Sequence, residues 1–97
     1  MTVTVLLEVT AKPEHTEDLI AWFAGNFKQT RVREGCIDIY MTRSQEDPNA
    51  LAIIQVWEQR PDFESYLQWR ADTGGVEKLM NMAAGEPTFR YFDRLDA

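Results

Sequence analysis

The chain has 97 residues, a formal net charge of −6 and 44% hydrophobic residues, which is typical of one folded domain over residues 1–97. Its acidic charge argues against nucleic-acid binding, because phosphates attract a basic surface. The single cysteine excludes an internal disulfide and predicts a reducing, cytoplasmic compartment. No apolar run approaches the roughly 20 residues of a membrane span, and the first residues lack the pattern of a signal peptide.

The first predicted elements are a strand and a helix. Residues 2–10 alternate in polarity, which predicts a strand with one wholly apolar face, and Lys12-Pro13-Glu14 then opens a helix. Gly35 is placed to end that helix. The inward stripe of the helix is predicted from three- and four-residue spacing and consists of Leu19, Trp22, Phe23, Asn26, Phe27 and Thr30.

The next two predicted elements are strands joined by a polar turn. Residues 36–43 predict a strand with Ile37, Ile39 and Met41 on one face, and residues 44–49 carry Pro and Asn. Residues 50–58 predict a third strand that is apolar on both faces and therefore needs cover on both. Leu51, Ile53, Gln55 and Trp57 point to one side of it, and Ala52, Ile54 and Val56 to the other.

The remaining pattern completes an α+β domain. A second helix is predicted over residues 61–72, a shorter helical piece after Gly74-Gly75, and a last strand over residues 88–93. The order β-α-β-β-α-β predicts a ferredoxin-like split βαβ fold, with a four-stranded antiparallel sheet and both helices on one face. The other face would remain bare, so we expect a second copy of the chain to cover it, giving a homodimer through the sheet face.

Several short motifs then carry a resemblance to a known family. They are Lys12-Pro13, Glu34-Gly35-Cys36, Asp47-Pro48, Val56-Trp57-Glu58 and Phe63. In this order the chain resembles the antibiotic biosynthesis monooxygenase family of dimeric α/β barrels. The resemblance implies back-to-back sheets in a homodimer, a pocket between sheet and helices in each subunit, and oxidation of an aromatic small molecule by O2 without a metal or other cofactor.

The resemblance also assigns roles to particular positions. Trp57 falls at the position of the family's pocket tryptophan. Anthrone-oxidising members have an Asn four residues before it and a pocket Tyr after it, and here these positions hold Ile53 and Phe63. The haem-degrading branch uses a His in the second helical region, and no His follows His15, so haem degradation is not expected.

The candidate site residues are mainly aromatic. We predict a substrate-binding pocket, and no residue is assigned as the catalytic base; Trp57, Tyr66 and Arg70 are the catalytic candidates. Tyr66 and Arg70 lie four residues apart on one helix face and together suit a phenolate or carboxylate. The alternative is that the aromatics are plain core and that Arg70 is an exposed rim charge. The predicted lining is Trp22, Phe27, Ile53, Trp57, Phe63, Tyr66 and Trp69.

Other ionisable residues have weaker functional interpretations. Asp38 is either a buried general base or a surface carboxylate paired with Arg90 or Arg43. His15 lies in the first turn of a surface helix, and Cys36 is expected to be an inert thiol. No metal-spaced His/Cys set, dinucleotide motif, P-loop or serine-hydrolase elbow occurs in the sequence.

Three functions are consistent with these patterns. The first is a cofactor-free monooxygenase acting on an aromatic or quinone-like molecule, and the second is a non-catalytic small-molecule-binding homodimer of the same fold. The replacements at Ile53 and Phe63 favour the second. The third is a purely structural dimer, which would have no cavity between helices and sheet.

Overall fold

The computed structural model describes residues 2–95 and contains four strands, three α-helices and one 3₁₀ turn. It confirms the predicted α+β ferredoxin-like order. The strands are β1 (Val3–Thr10), β2 (Cys36–Arg43), β3 (Ala50–Trp57) and β4 (Thr88–Phe92). The helices are α1 (Thr16–Arg31), α2 (Arg60–Asp72) and α3 (Gly75–Met82), and the 3₁₀ turn is Pro13–His15.

The four strands form one antiparallel sheet in the order β2-β3-β1-β4. Strands β1 and β3 occupy the middle of this sheet. Ile54 of β3 pairs with Leu6 of β1 on one side and with Tyr40 of β2 on the other. This central position explains why β3 is apolar on both of its faces.

One face of the sheet carries the hydrophobic core, because alternate residues of β1 and β3 point towards the helices. The helices contribute the apolar stripe of α1 and two aromatic residues of α2. A strand buried on one face alternates in this way along its length. The largest fully buried side chains are Trp57, Phe63, Leu19, Ile53, Val5 and Thr30.

Two local features differ from the sequence prediction. Helix α1 ends at Arg31, four residues before Gly35, and Gly35 instead has a φ of +87° in the turn that leads to β2. The register of β2 shifts between Cys36 and Asp38. Ile37 lies in this bulge and is 53% exposed, so its predicted place on the apolar face was wrong.

The second face of the sheet has no helix over it within residues 2–95. Thr4, Leu6, Ala52, Ile54 and Val56 are half-buried there by their strand neighbours alone. The same face carries an ion pair in which Arg90 Nη2 lies 2.5 Å from Glu8 Oε1. Of the helices in the described range, none has the length and apolarity to cross a membrane.

Candidate functional site

A small cavity lies between the sheet and the three helices. Its volume is about 60 Å3. That exceeds the roughly 10–15 Å3 needed to hold one water, but it is well below the roughly 300–1,000 Å3 of a typical small-molecule site. The lining is mostly apolar, with polar side chains from α1, α2 and β3.

The structure brings five of the seven predicted lining residues together around this cavity. They are Trp22, Phe27, Ile53, Phe63 and Tyr66, and Arg70 lines it too. The site is built where α1 and α2 cross the buried face of β3.

Trp57 and Trp69 lie outside the lining. Trp57 is 0% exposed and packs behind two lining aromatics, with ring centroids 5.1 Å from Tyr66 and 5.9 Å from Phe63. Trp69 lies against two guanidinium groups, 4.6 Å from that of Arg33 and 4.7 Å from that of Arg70. Trp57 therefore supports the cavity wall, and Trp69 packs against a cation that lines the cavity.

Arg70 contacts Tyr66 within α2 and joins α2 to α1 through hydrogen bonds to three residues of α1. Its Nε donates to the hydroxyl of Tyr66 at 3.1 Å, and Nη1 donates to Oε1 of Gln29 at 3.2 Å. Its Nη2 donates to the backbone oxygen of Asn26 at 3.2 Å and to Oγ1 of Thr30 at 3.3 Å. No carboxylate within residues 2–95 forms an ion pair with it, so the rim ion pair considered from the sequence is not present.

The sequence did not single out Gln55 as a functional residue. It lies on the buried face of β3 between Ile53 and Trp57, is 3% exposed and lines the cavity. Its Oε1 accepts a hydrogen bond of 3.0 Å from Nε1 of Trp57. The sequence contained one indication of it, a single amide among the otherwise apolar residues on this face of β3.

Asn26 and Thr30 are two further polar residues of the lining. The sequence placed both on the inward stripe of α1 without giving them a role. Thr30 is buried, its Oγ1 donates to the backbone oxygen of Asn26 at 3.2 Å, and it also lies 2.9 Å from the hydroxyl of Tyr66. The roof of the cavity is therefore polar at one point, where α1 meets α2.

Within residues 2–95, the titratable side chains of the lining are Tyr66 and Arg70, and no Asp, Glu or His of that range lines the cavity. Asp38 lies exposed on the other face of the sheet. It pairs with neither of the arginines predicted for it, because Arg43 pairs with Glu17 at 2.6 Å and Arg90 with Glu8. As far as the described residues show, the site therefore offers a cation and hydroxyl groups, and no carboxylate base.

The remaining candidates lie away from the cavity. His15 lies before α1, with Nδ1 3.6 Å from Asp18 Oδ2. Burial raises the pKa of the Cys36 thiol, the charge of Asp38 raises it further, and Arg31 partly offsets both. Within residues 2–95, no group of three or more His, Cys, Asp or Glu side chains is placed to hold a metal ion.

An open groove of about 510 Å3 lies next to the cavity, between α2, α3 and β4. Four side chains line both spaces and therefore form the wall that separates them. This wall consists of Leu67, Val76, Leu79 and Phe89.

Comparison with known proteins identifies the family. The sequence profile described as antibiotic biosynthesis monooxygenase matches residues 2–71, which is more than half of the chain. The chain belongs to this family, as its motifs indicated, and it is classed with monooxygenase-type enzymes. No curated protein matches the sequence significantly.

Solved structures share the fold over nearly the whole chain. A conserved protein from Methanosarcina mazei Go1 has a TM-score of 0.89 at 17% identity, covering 98% of this chain and 94% of its own. An antibiotic biosynthesis monooxygenase has a TM-score of 0.86 at 18% identity, covering 97% and 99%. The protein Rv0793 from Mycobacterium tuberculosis has a TM-score of 0.81 at 17% identity, covering 100% and 98%. At these identities the likeness establishes the fold alone.

Proposed function

We propose that the chain is a cofactor-independent monooxygenase that oxidises an aromatic or quinone-like small molecule in the cavity between sheet and helices. The observation that carries this proposal is Arg70, a partly buried cation that lines an apolar cavity and has no carboxylate partner within residues 2–95. A cation in such surroundings favours an anionic ligand, because the ligand's charge offsets its desolvation. A phenolate or enolate ring has both properties that the cavity requires.

The chemistry needs only the substrate and O2. A deprotonated hydroxyaromatic ring or anthrone is electron-rich, and it transfers electrons to O2 directly. Oxidation of a ring CH2 to a carbonyl places one oxygen atom in the product and the other in water, so that CH2 and O2 give C=O and H2O. The substrate supplies all four electrons, which is why the reaction requires no external reductant.

Each part of the lining has a defined role in this proposal. Arg70 holds the anionic oxygen, and Tyr66, which is hydrogen-bonded to Arg70 and close to Thr30, is the candidate for moving a proton. Phe27, Ile53 and the other apolar side chains hold the ring and exclude water from the reacting carbon.

The volume of the cavity constrains how the ring binds. About 60 Å3 is too small for a substituted aromatic ring, since an engineered cavity that binds benzene measures roughly 150 Å3. The wall formed by Leu67, Val76, Leu79 and Phe89 is the boundary with the groove of about 510 Å3. We propose that the ring enters from the groove and displaces these side chains.

We also propose that two copies of the chain pair through the uncovered sheet face. Leu6, Ile54 and Val56 form a continuous apolar patch across β1 and β3. A 97-residue chain buries only roughly 60–70% of its unfolded surface, so it gains stability when this patch is covered. The free thiol of Cys36 supports a cytoplasmic location.

One observation favours the alternative of a binding protein without catalysis. Ile53 and Phe63 are both buried and line the cavity, and they provide no polar group where the anthrone-oxidising relatives carry Asn and Tyr. The same cavity would then hold a ligand without activating it.

Oxygen uptake distinguishes the two functions. Purified protein is incubated under air with anthrone, and O2 consumption and the carbonyl product are measured above the uncatalysed rate. We expect uptake by the wild type, a loss of at least tenfold in Arg70→Met, and a smaller loss in Tyr66→Phe. Arg60→Met is the matched control, because Arg60 lies over the ring of Tyr91 and does not line the cavity. Saturable binding of anthrone without O2 uptake would establish the binding protein instead.

A further inference from the structure

We propose that the side-chain amide of Gln55 is a second ligand-binding group, which donates a hydrogen bond to a carbonyl or phenolate oxygen from the sheet side of the cavity. This inference rests on the proposed function, because it assumes that the cavity takes an aromatic ligand that carries oxygen. It adds the chemical requirement that the ligand must present an oxygen acceptor to β3.

The orientation of the amide follows from its partner. The indole N–H of Trp57 is a donor only, so the atom that it contacts at 3.0 Å must be the amide oxygen of Gln55. Trp57 is 0% exposed, so its N–H cannot donate to bulk water and needs this acceptor. The amide therefore cannot flip without leaving a buried donor unpaired, and its NH2 group points away from the indole.

The NH2 group of Gln55 has no protein partner among residues 2–95. Within that range the side chain forms one hydrogen bond, which its oxygen accepts from the indole of Trp57. In the same residues, no fully enclosed side-chain nitrogen or oxygen lacks a partner. The nitrogen therefore faces open space. Since Gln55 is 3% exposed and lines the cavity, that space is the cavity.

A purely structural role explains the amide oxygen of Gln55 but not its NH2 group. Gln55 satisfies the indole of Trp57, but its NH2 has no protein partner within residues 2–95, and a buried NH2 costs stability unless a water or a ligand accepts its hydrogen bond. Its cross-strand neighbours on the buried face, Val5 and Ile39, are apolar and offer no side-chain acceptor. A donor that is fixed in position and unused by the protein is suited to a ligand.

Together with the roof of the cavity, Gln55 defines the chemistry of the ligand. Arg70 supplies donors from α2, and Gln55 supplies donors from β3 on the opposite, sheet side. A ring with oxygen atoms at both ends, as in a quinone, hydroquinone or hydroxyanthrone, matches donors on two sides. The corresponding hydrocarbon would leave the NH2 of Gln55 unpaired and is disfavoured.

The test compares two ligands of the same shape. Dissociation constants are measured for 2,3-dimethyl-1,4-naphthoquinone and for 2,3-dimethylnaphthalene, whose methyl groups also block addition of the quinone to Cys36. In the wild type we expect the quinone to bind more tightly. In Gln55→Met we expect the ratio of the two constants to fall by roughly threefold to tenfold, the range for one neutral hydrogen bond.

Two further measurements separate ligand binding from support of Trp57. The double variant Trp57→Phe/Gln55→Met has no unpaired indole, and it must lose the preference for the quinone over the hydrocarbon as Gln55→Met does. The single variant Trp57→Phe must keep part of that preference. In wild-type protein, the NMR signals of the Gln55 side-chain NH2 must shift with the quinone and not with the hydrocarbon. This measurement requires no variant to fold.

Each outcome has a distinct meaning. Equal ratios in the wild type and in both Gln55→Met variants, or an unshifted NH2 signal with bound quinone, overturn the role of Gln55 and leave the cavity as a binding site. A wild type that binds neither compound overturns the proposed function together with this inference.

Discussion

The hydroxyl of Tyr66 on α2 lies 2.9 Å from Oγ1 of Thr30 on α1, and both side chains are buried. This contact joins the two long helices directly above the cavity. Arg70 reinforces it, since it donates to both hydroxyl groups. The polar part of the candidate site is thus also a structural link, and variants there must be tested for stability as well as activity.

We expect Tyr66→Phe and Thr30→Val each to lower the free energy of unfolding by about 1 kcal/mol, the usual net value of a buried hydrogen bond. The double variant should lose less than the sum of the two, with a coupling of about 0.5 kcal/mol or more, because both changes remove the same interaction. Urea denaturation of the four proteins measures this cycle. Strictly additive losses would show that the contact contributes nothing.

Two glycines with the same backbone conformation offer a matched comparison. Gly35 has φ +87° and Gly74 has φ +86°. A side chain in this left-handed conformation costs roughly 1–2 kcal/mol, so both alanine variants should be destabilised. Gly35→Ala should be clearly the worse, because its Cβ would lie 2.6 Å from Cβ and Cγ of Asp62, whereas nothing lies within 4 Å at Gly74. Equal midpoints of thermal unfolding would contradict this steric explanation.

The thiol of Cys36 should react slowly at neutral pH. Burial and the nearby charge of Asp38 raise its pKa, against a smaller opposite effect of Arg31. The midpoint of the pH profile for alkylation by iodoacetamide should therefore be higher in the folded protein than in denaturant, and Asp38→Asn should lower it.

The raised pKa of Cys36 also determines how the stability of the protein changes with pH. Because the folded pKa is the higher one, any stabilisation is complete below the unfolded pKa and is lost as the pH rises through the folded pKa. Relative to Cys36→Ser, the wild type should lose stability only at alkaline pH. Equal midpoints for the folded and unfolded thiol would show that burial does not act on it.

The sequence predicted the order of elements well, because each strand and helix carries its own local periodicity. It did not predict the bulge at Ile37, since the register of β2 is set by its pairing with Trp57 and Val56 on another strand. It placed Gly35 as the end of α1 rather than in the turn against Asp62, which is a contact between distant parts of the chain.

The site was harder to predict than the fold, for the same reason. The aromatic residues of the lining follow from helical spacing and from the likeness to the family. The role of Gln55 depends on which side of the amide faces Trp57, and the small size of the cavity depends on how Phe63 and Tyr66 pack against Trp57. Neither property is encoded in a local pattern.

The uncovered sheet face predicts a dimer that one charge can disrupt. Light scattering should give a mass near twice 11.2 kDa for the wild type. Ile54→Asp should yield monomers, because Ile54 lies at the centre of the sheet between Leu6 and Tyr40 and a carboxylate there would be buried on association.

Val32→Asp is the control for this experiment, because Val32 is 82% exposed and lies just after α1, away from the sheet. It should remain dimeric at the same concentration. A monomeric wild type at low micromolar concentration, or an Ile54→Asp variant that still dimerises, would contradict pairing through this face.

The wall between groove and cavity predicts how fast a ligand enters. Val76→Ala removes two methyl groups from the wall, and alanine favours the helix at that position, so the fold should be little affected. We expect the association rate of 2,3-dimethyl-1,4-naphthoquinone, measured by stopped-flow quenching of tryptophan fluorescence, to rise severalfold. Met80→Ala is the matched control on the same helix, since Met80 lines the groove but not the cavity and should leave the rate unchanged. An unchanged rate in Val76→Ala, or an equal increase in both variants, would show that this wall does not limit entry, because Met80 does not line the cavity.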